Sequence, residues 1–185
     1  MEPERNRVCP VELAGSLDNR IRRWLQDPQK LLAPYVKEGL KVLDLGCGPG
    51  FFSIEMAKMV GKKGKVFSAD LQEGMLQKIR DKIRGTELAE RITLVKCDKD
   101  KINVREQVDF ILTFFMVHEV PDKDSLFKQL KAVLSDNAQV LLVEPKLFHV
   151  SREAFAATTK IAKENGFKVF EGPKVHFSWS AILRP

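Results

Sequence analysis

The stretch Val42-Leu43-Asp44-Leu45-Gly46-Cys47-Gly48-Pro49-Gly50 decides how the rest of the chain is read. Lys41–Leu45 (KVLDL) reads as a strand and Phe51–Val60 as a helix, so the three glycines occupy the turn between them. A turn at the carboxyl end of a strand is where open α/β sheets bind ligands. Glycine there permits a tight turn and a close backbone approach. The spacing separates the nucleotide-binding classes. A dinucleotide fingerprint, GxGxxG, would place its third glycine at position 51, and a P-loop, GxxxxGK[ST], would place its second there; Phe51 occupies it. What remains is an acid, a spacer and GxGxG. Nicotinamide binding and phosphate cradling are both disfavoured.

Working outward, strands and helices alternate. Lys65–Ala69 (KVFSA) is a strand candidate, and Gln72–Arg84 a helix with Met75, Leu76, Ile79 and Ile83 on one face. Arg91–Lys96 and Val108–Thr113 are strands, and Asp122–Leu134 is a helix with Leu126, Leu130, Val133 and Leu134 turned inward. Gln139–Val143 is a fifth strand. Ser151 can cap a helix that stops at Asn165–Gly166. Phe167–Phe170 and Val175–Leu183 close the chain as two strands joined through Glu171–Lys174, which makes the last one antiparallel. Such alternation argues for a parallel sheet covered on both faces.

Ahead of the first strand, Leu17, Ile21, Trp24 and Leu25 recur at helical spacing over Leu17–Gln26. Pro28 suits the first turn of a second short helix running to about Tyr35 or Lys37. Residues 1–37 are therefore expected to form a helical lid, and 38–185 the body of a single domain. Arg20, Arg22 and Arg23 form the one tight cationic cluster, expected as a solvated helix face.

Composition narrows the class. The 185 residues are 44% hydrophobic and 30% charged, which excludes a disordered or collagen-like chain. The longest apolar run, Phe110–Val117, is interrupted by Thr113 and is too short to span a membrane. The opening MEPERNRVCP has no apolar core, so a cytoplasmic protein is expected. Cys9, Cys47 and Cys97 lack CxxC spacing, which disfavours a disulfide framework or a zinc site, and no bound metal is expected. The net charge of +6 tolerates an anionic partner without demanding one.

The segment DLGCGPG resembles motif I of the class I S-adenosylmethionine-dependent methyltransferases, and the likeness covers about residues 30–183. Asp70, at the end of the second strand, matches the family's ribose-binding acid. Cys97-Asp98-Lys99 is similar to the segment whose acid meets the adenine amino group. VDFILTFFMVHEVPD and QVLLVEPK look like the fourth and fifth strands of its small-molecule members, nearest to the quinone C-methyltransferase-like and arsenite-methyltransferase-like groups. The additional arsenic-binding cysteines of the latter are lacking.

The resemblance implies a Rossmann-like, doubly wound, seven-stranded sheet of order 3-2-1-4-5-7-6, strand 7 antiparallel, with helices on both faces. It also implies a cofactor set. Asp44, Gly46, Cys47, Gly48, Pro49 and Gly50 would hold the methionine moiety, Asp70 the ribose, Leu71 the adenine face, and Asp98 with Lys99 the adenine edge. Thr113 and Phe114 would close the other side. Cys47 is expected to pack rather than react. His118 is the first candidate for a base, its ordinary pKa suiting proton transfer near neutrality. Glu144 is the second, with a Lys146 ion pair as its structural alternative; Tyr35 and His149 are weaker candidates.

The expected reaction is methyl transfer from S-adenosylmethionine, leaving S-adenosylhomocysteine, to a small-molecule acceptor. A protein acceptor and a non-catalytic S-adenosylmethionine-binding subunit are the alternatives. A nucleic-acid acceptor is disfavoured, because no Asn/Asp-Pro-Pro-Tyr/Phe segment follows the fourth strand.

Overall fold

The computed structural model describes residues 26–146 and 150–185. The expected helix at Leu17–Gln26, with its arginine cluster, lies outside the described residues except for Gln26; His149 and Cys9 lie outside them too.

The elements run α1 (Pro28–Leu32), β1 (Lys41–Leu45), α2 (Phe51–Met59), β2 (Lys65–Asp70), α3 (Glu73–Ile83), β3 (Ile92–Lys96), β4 (Val108–Phe114), α4 (Lys123–Val133), β5 (Leu134–Pro145), α5 (Arg152–Glu164), β6 (Lys168–Glu171) and β7 (Ser178–Arg184). The seven strands form one sheet of order β3-β2-β1-β4-β5-β7-β6. β7 runs antiparallel to both β5 and β6. The order and the sense of the last strand are those the resemblance implied.

Alternation along the central strands divides the core in two, because successive side chains point to opposite faces. Val42, Val66 and Phe110 face Phe52 and Met56 of α2 and Leu76 and Ile79 of α3. Leu43, Phe67 and Ile111 face Phe127 and Leu130 of α4, with Ala162 of α5 in the same cluster. Both faces being covered explains why these strands read as nearly continuous apolar runs. On the α2 face Tyr35 stacks on Phe110, ring centroids 5.4 Å apart, and burial raises its pKa. Tyr35 is thus a packing residue.

Most element ends fall within a residue or two of the sequence expectation, and four differences have a clear physical reason. α1 is capped by Asp27, whose carboxylate accepts from the N–H groups of Gln29 and Lys30, but it stops at Leu32. Ala33 keeps helical backbone angles as the C-cap, its N–H on Gln29 O, but Pro34 has no N–H to carry the ladder on. β5 begins at Leu134, directly after α4, because the polar Ser135-Asp136-Asn137 form a bulge: Leu134 pairs with Val108 and Gln139 with Phe110. Phe167 stays outside β6, its N–H bonded to Ala162 O at 3.1 Å and its ring set against Phe127. β7 starts at Ser178 rather than Val175, since Phe177 takes a left-handed φ of 52° that breaks the extended backbone.

Candidate functional site

The carboxyl ends of β1, β2, β3 and β4 open on a cavity of about 430 Å³. A volume of that order suits a small ligand. Its floor is the glycine loop. Gly46 has φ +71°, and a Cβ there would lie 2.8 Å from Cβ of Met116. Only a residue without a side chain lets the loop pass beneath the segment after β4. Gly48 borders open space, with nothing within 4 Å of a notional Cβ. Gly50 lies off the cavity: its φ of +89° starts α2, and a Cβ would meet Ile79 at 2.8 Å.

Asp70 is the best-held acid. Its Oδ2 accepts the Gly48 N–H at 2.9 Å and its Oδ1 the Gln72 N–H at 2.8 Å. Burial raises its pKa above the ordinary carboxylate value, while those two N–H groups pull the other way. Each oxygen retains a further lone pair for a ligand hydroxyl. Asp44 is buried on the α2 face and accepts the Ser53 hydroxyl at 2.5 Å. Asp98 accepts from the Asn103 side-chain amide at 3.1 Å, and its N–H reaches Lys101 O. The Asn103 amide also donates to Lys96 O at 2.9 Å, fixing the turn after β3. The Cys97 N–H donates to Asp70 O at 2.9 Å, which ties the two strand ends together.

Asp44, Gly46, Cys47, Gly48, Pro49, Asp70, Leu71, Asp98, Lys99 and Phe114 therefore converge on one cavity. Thr113 does not reach it. It is fully buried in the sheet, its hydroxyl without a hydrogen-bond partner, and the wall begins one residue later. Burial pushes the Cys97 thiol up to about 12. Burial and then the charges of Asp44 and Asp70 raise Cys47 well above its usual value, so both thiols stay protonated packing groups. No cluster of three or more His, Cys, Asp or Glu side chains suited to a metal occurs among the described residues.

The two proton-transfer candidates lie off the cavity and meet each other. His118 Nδ1 is 2.5 Å from Glu144 Oε2, and the N–H groups of Val117 and His118 donate to Glu144 at 2.9 and 3.2 Å. Glu144 is thus not paired with Lys146, whose ammonium lies 4.3 Å from the Trp179 ring centroid. Burial of the imidazole opposes its charge, but the hydrogen bond and charge of Glu144 outweigh this and raise the His118 pKa above 6.5.

The aromatic run Phe114–Phe115 reads from the sequence as core or cofactor wall, and both residues line the cavity; most of the remaining wall was not legible. Phe52, Met116 and Glu119 line the cavity, and so does Gln129 from the middle of α4. Gln129 accepts the Ile102 N–H at 3.0 Å and donates to Asp100 O at 2.8 Å, which docks the loop after β3 on the helix. Nothing in the local pattern of α4 marks it.

Residues 36–182 match the methyltransferase domain family. The chain belongs to that family, and its sheet order and glycine loop are those of the class I S-adenosylmethionine-dependent methyltransferases. It is 32% identical over 136 residues to a demethylmenaquinone methyltransferase of Lactobacillus johnsonii, an alignment covering 73% of this chain and 53% of that one. It is 33% identical over 110 residues to a ubiquinone/menaquinone biosynthesis C-methyltransferase of Haemophilus ducreyi, covering 59% and 42%. The chain spans about half the length of these curated relatives. A SAM-dependent methyltransferase from Aquifex aeolicus superposes with a TM-score of 0.85 at 28% identity, covering 95% of this chain and 98% of that one.

Proposed function

We propose that this chain moves a methyl group from S-adenosylmethionine to a small-molecule acceptor by in-line displacement. The observation that carries the reading is the convergence of the glycine loop, Asp70 and Asp98 on one cavity, with Asp70 braced on both oxygens by backbone N–H groups. The residues fit that cofactor. Asp70 offers two acceptor oxygens at fixed positions for paired ribose hydroxyls. Leu71 supplies an apolar face, and Asp98 with Lys99 a polar edge, suited to adenine. Asp44 and the backbone of residues 46–49 suit the methionine end, and Gly48 leaves room for it.

S-adenosylmethionine, when bound, supplies an already activated methyl group on a sulfonium. The protein's part is mainly positioning: the acceptor atom has to be held about 3–3.5 Å from the methyl and in line. Phe52, Phe114, Phe115 and Met116 give the cavity an apolar lining. An acceptor that must lose a proton, such as a phenol or an activated carbon, needs a base. Glu144 holds Nδ1 of His118 at 2.5 Å, and with both groups off the cavity the pair orders the turn after β4 rather than supplying that base. A small-molecule acceptor is favoured over a protein by the names of the matched relatives, which act on quinones. A cytoplasmic location belongs to the same proposal; no helix among the described residues is long and apolar enough to cross a membrane.

The test is transfer of radiolabelled methyl from S-adenosylmethionine into a cell extract, comparing native protein with Asp70→Ala. Label in the small-molecule fraction, lost in the variant, is expected. Label confined to protein would move the acceptor to that class. Cofactor binding without any transfer would leave an accessory, non-catalytic role.

A further inference from the structure

Three non-glycine residues among those described have a left-handed backbone, Asn103, Phe115 and Phe177. Asn103 is of a type that tolerates the conformation, and its side chain closes a turn. Phe177 is exposed at a loop tip. Phe115 is different: a bulky aromatic at φ 60°, half-buried, lining the cavity of the glycine loop. Its N–H is held by Val143 O at 2.9 Å, so the backbone is anchored to β5 as it leaves β4 in this strained form. Such strain persists only where the surroundings over-determine it, and it accumulates at ligand sites.

The conformation builds an aromatic wall. The Phe115 ring lies 4.3 Å from that of Phe114 at 36°, and Phe114 lies 4.6 Å from Phe52 at 44°, all three residues lining the cavity. In the same cavity, Asp44 accepts from Ser53, Asp70 from Gly48 and Gln72, and Asp98 from Asn103, and Glu119 also lines it. A sulfonium is a diffuse cation bearing three carbon substituents and no N–H or O–H. It therefore cannot donate a conventional hydrogen bond to a carboxylate. Aromatic faces are the surfaces that recognise cations of this kind, as they do quaternary ammonium groups. The neutral thioether of the product has no such attraction.

We propose that Phe115, supported by Phe114 and Phe52, is a sulfonium-selective face that distinguishes the charged methyl donor from its demethylated product. The inference rests on S-adenosylmethionine being the donor, as proposed above. It gives the strained backbone a purpose: the ring is set against the cation in advance, and the attraction disappears once the methyl has left, which favours product release.

Isothermal titration of the intact chain with S-adenosylmethionine and with S-adenosylhomocysteine tests it. Phe115→Leu keeps an apolar side chain of similar size and removes the ring; Phe115→Tyr keeps the ring. In Phe115→Leu the affinity for S-adenosylmethionine is expected to fall about tenfold, with S-adenosylhomocysteine changed less than about twofold, and Phe115→Tyr is expected to restore the native ratio. Equal weakening of both ligands, or no change in either, would overturn the proposal while leaving the donor assignment standing. If Phe115→Leu fails to fold, the same ratio is read in Phe52→Leu, with a smaller loss for S-adenosylmethionine alone expected and an unchanged ratio counting against the wall. Native protein that binds neither ligand would overturn the donor assignment itself, and the proposal with it.

Discussion

His118 Nδ1 and Glu144 Oε2 lie 2.5 Å apart, joining the turn after β4 to the end of β5 across 26 residues of chain. The same carboxylate also accepts the N–H groups of Val117 and His118, so one buried acid orders both the imidazole and the short 3-10 turn that carries it, Val117–Glu119. The pairing favours the charged imidazole, which raises its pKa above 6.5 despite the opposing effect of burial.

A pH dependence of stability follows. A histidine whose pKa is raised on folding contributes stability that is complete below its unfolded value and is lost as pH rises through the folded one. The melting temperature of native protein should therefore exceed that of His118→Gln most below the ordinary imidazole value of 6.5, with the gap closing as pH rises past that value through the raised one. A gap independent of pH would mean that the imidazole does not titrate against Glu144.

Asp70→Asn is isosteric, yet it replaces an acceptor with an amide NH2 that must confront the N–H of either Gly48 or Gln72. The affinity for S-adenosylmethionine is expected to fall by about two orders of magnitude, the loss expected from roughly 3 kcal/mol of hydrogen bonds to a charged group. Calorimetric titration measures it. Retained affinity would remove Asp70 from the ligand site.

Gly46→Ala and Gly48→Ala separate folding from binding. At Gly46 the new Cβ meets Met116 at 2.8 Å and the backbone stays at φ +71°, so a loss of about 2 kcal/mol or more is expected in urea unfolding. At Gly48 the Cβ meets nothing within 4 Å, and only backbone strain of about 1 kcal/mol applies. Its methyl should instead weaken S-adenosylmethionine binding, because that open space belongs to the cavity. Equal effects of the two changes on stability would contradict the difference in packing.

Ser53→Ala removes the hydroxyl donor 2.5 Å from Asp44, a carboxylate that is 2% exposed. Leaving a buried acceptor short of one donor costs about 1–3 kcal/mol. Denaturant titration should show a loss in that range, with the slope of the transition unchanged. A loss below about 0.5 kcal/mol would show that the other partners of Asp44 carry it.

Much of this molecule was legible before any coordinates. The alternation of strands and helices followed from short-range periodicity, and the glycine loop from residue type at fixed spacing, both of which one turn of chain suffices to express. Asp44 was legible as an acid at a strand end beside glycines, and Asp70 through the family resemblance, as the acid that closes the second strand. Where local chemistry was ambiguous the reading slipped. Ser135-Asp136-Asn137 have the composition of a turn, and the structure carries them as a bulge inside β5. Val175 and Phe177 have strand composition, but Phe177 is left-handed and delays β7 to Ser178.

The sequence by itself determined the alternating strands and helices and the glycine turn at the ligand-binding edge, because each depends on neighbours a few residues away; the sheet order and the roles of Asp70 and Asp98 came from the family resemblance. Tertiary structure alone decided that Glu144 meets His118 rather than Lys146, that Gln129 docks the loop after β3, and that Thr113 stays out of the cavity wall. Those outcomes depend on which groups meet when β4 and β5 pair and α4 packs on their face. Such contacts join residues 26 or more positions apart and leave no periodic trace along the chain.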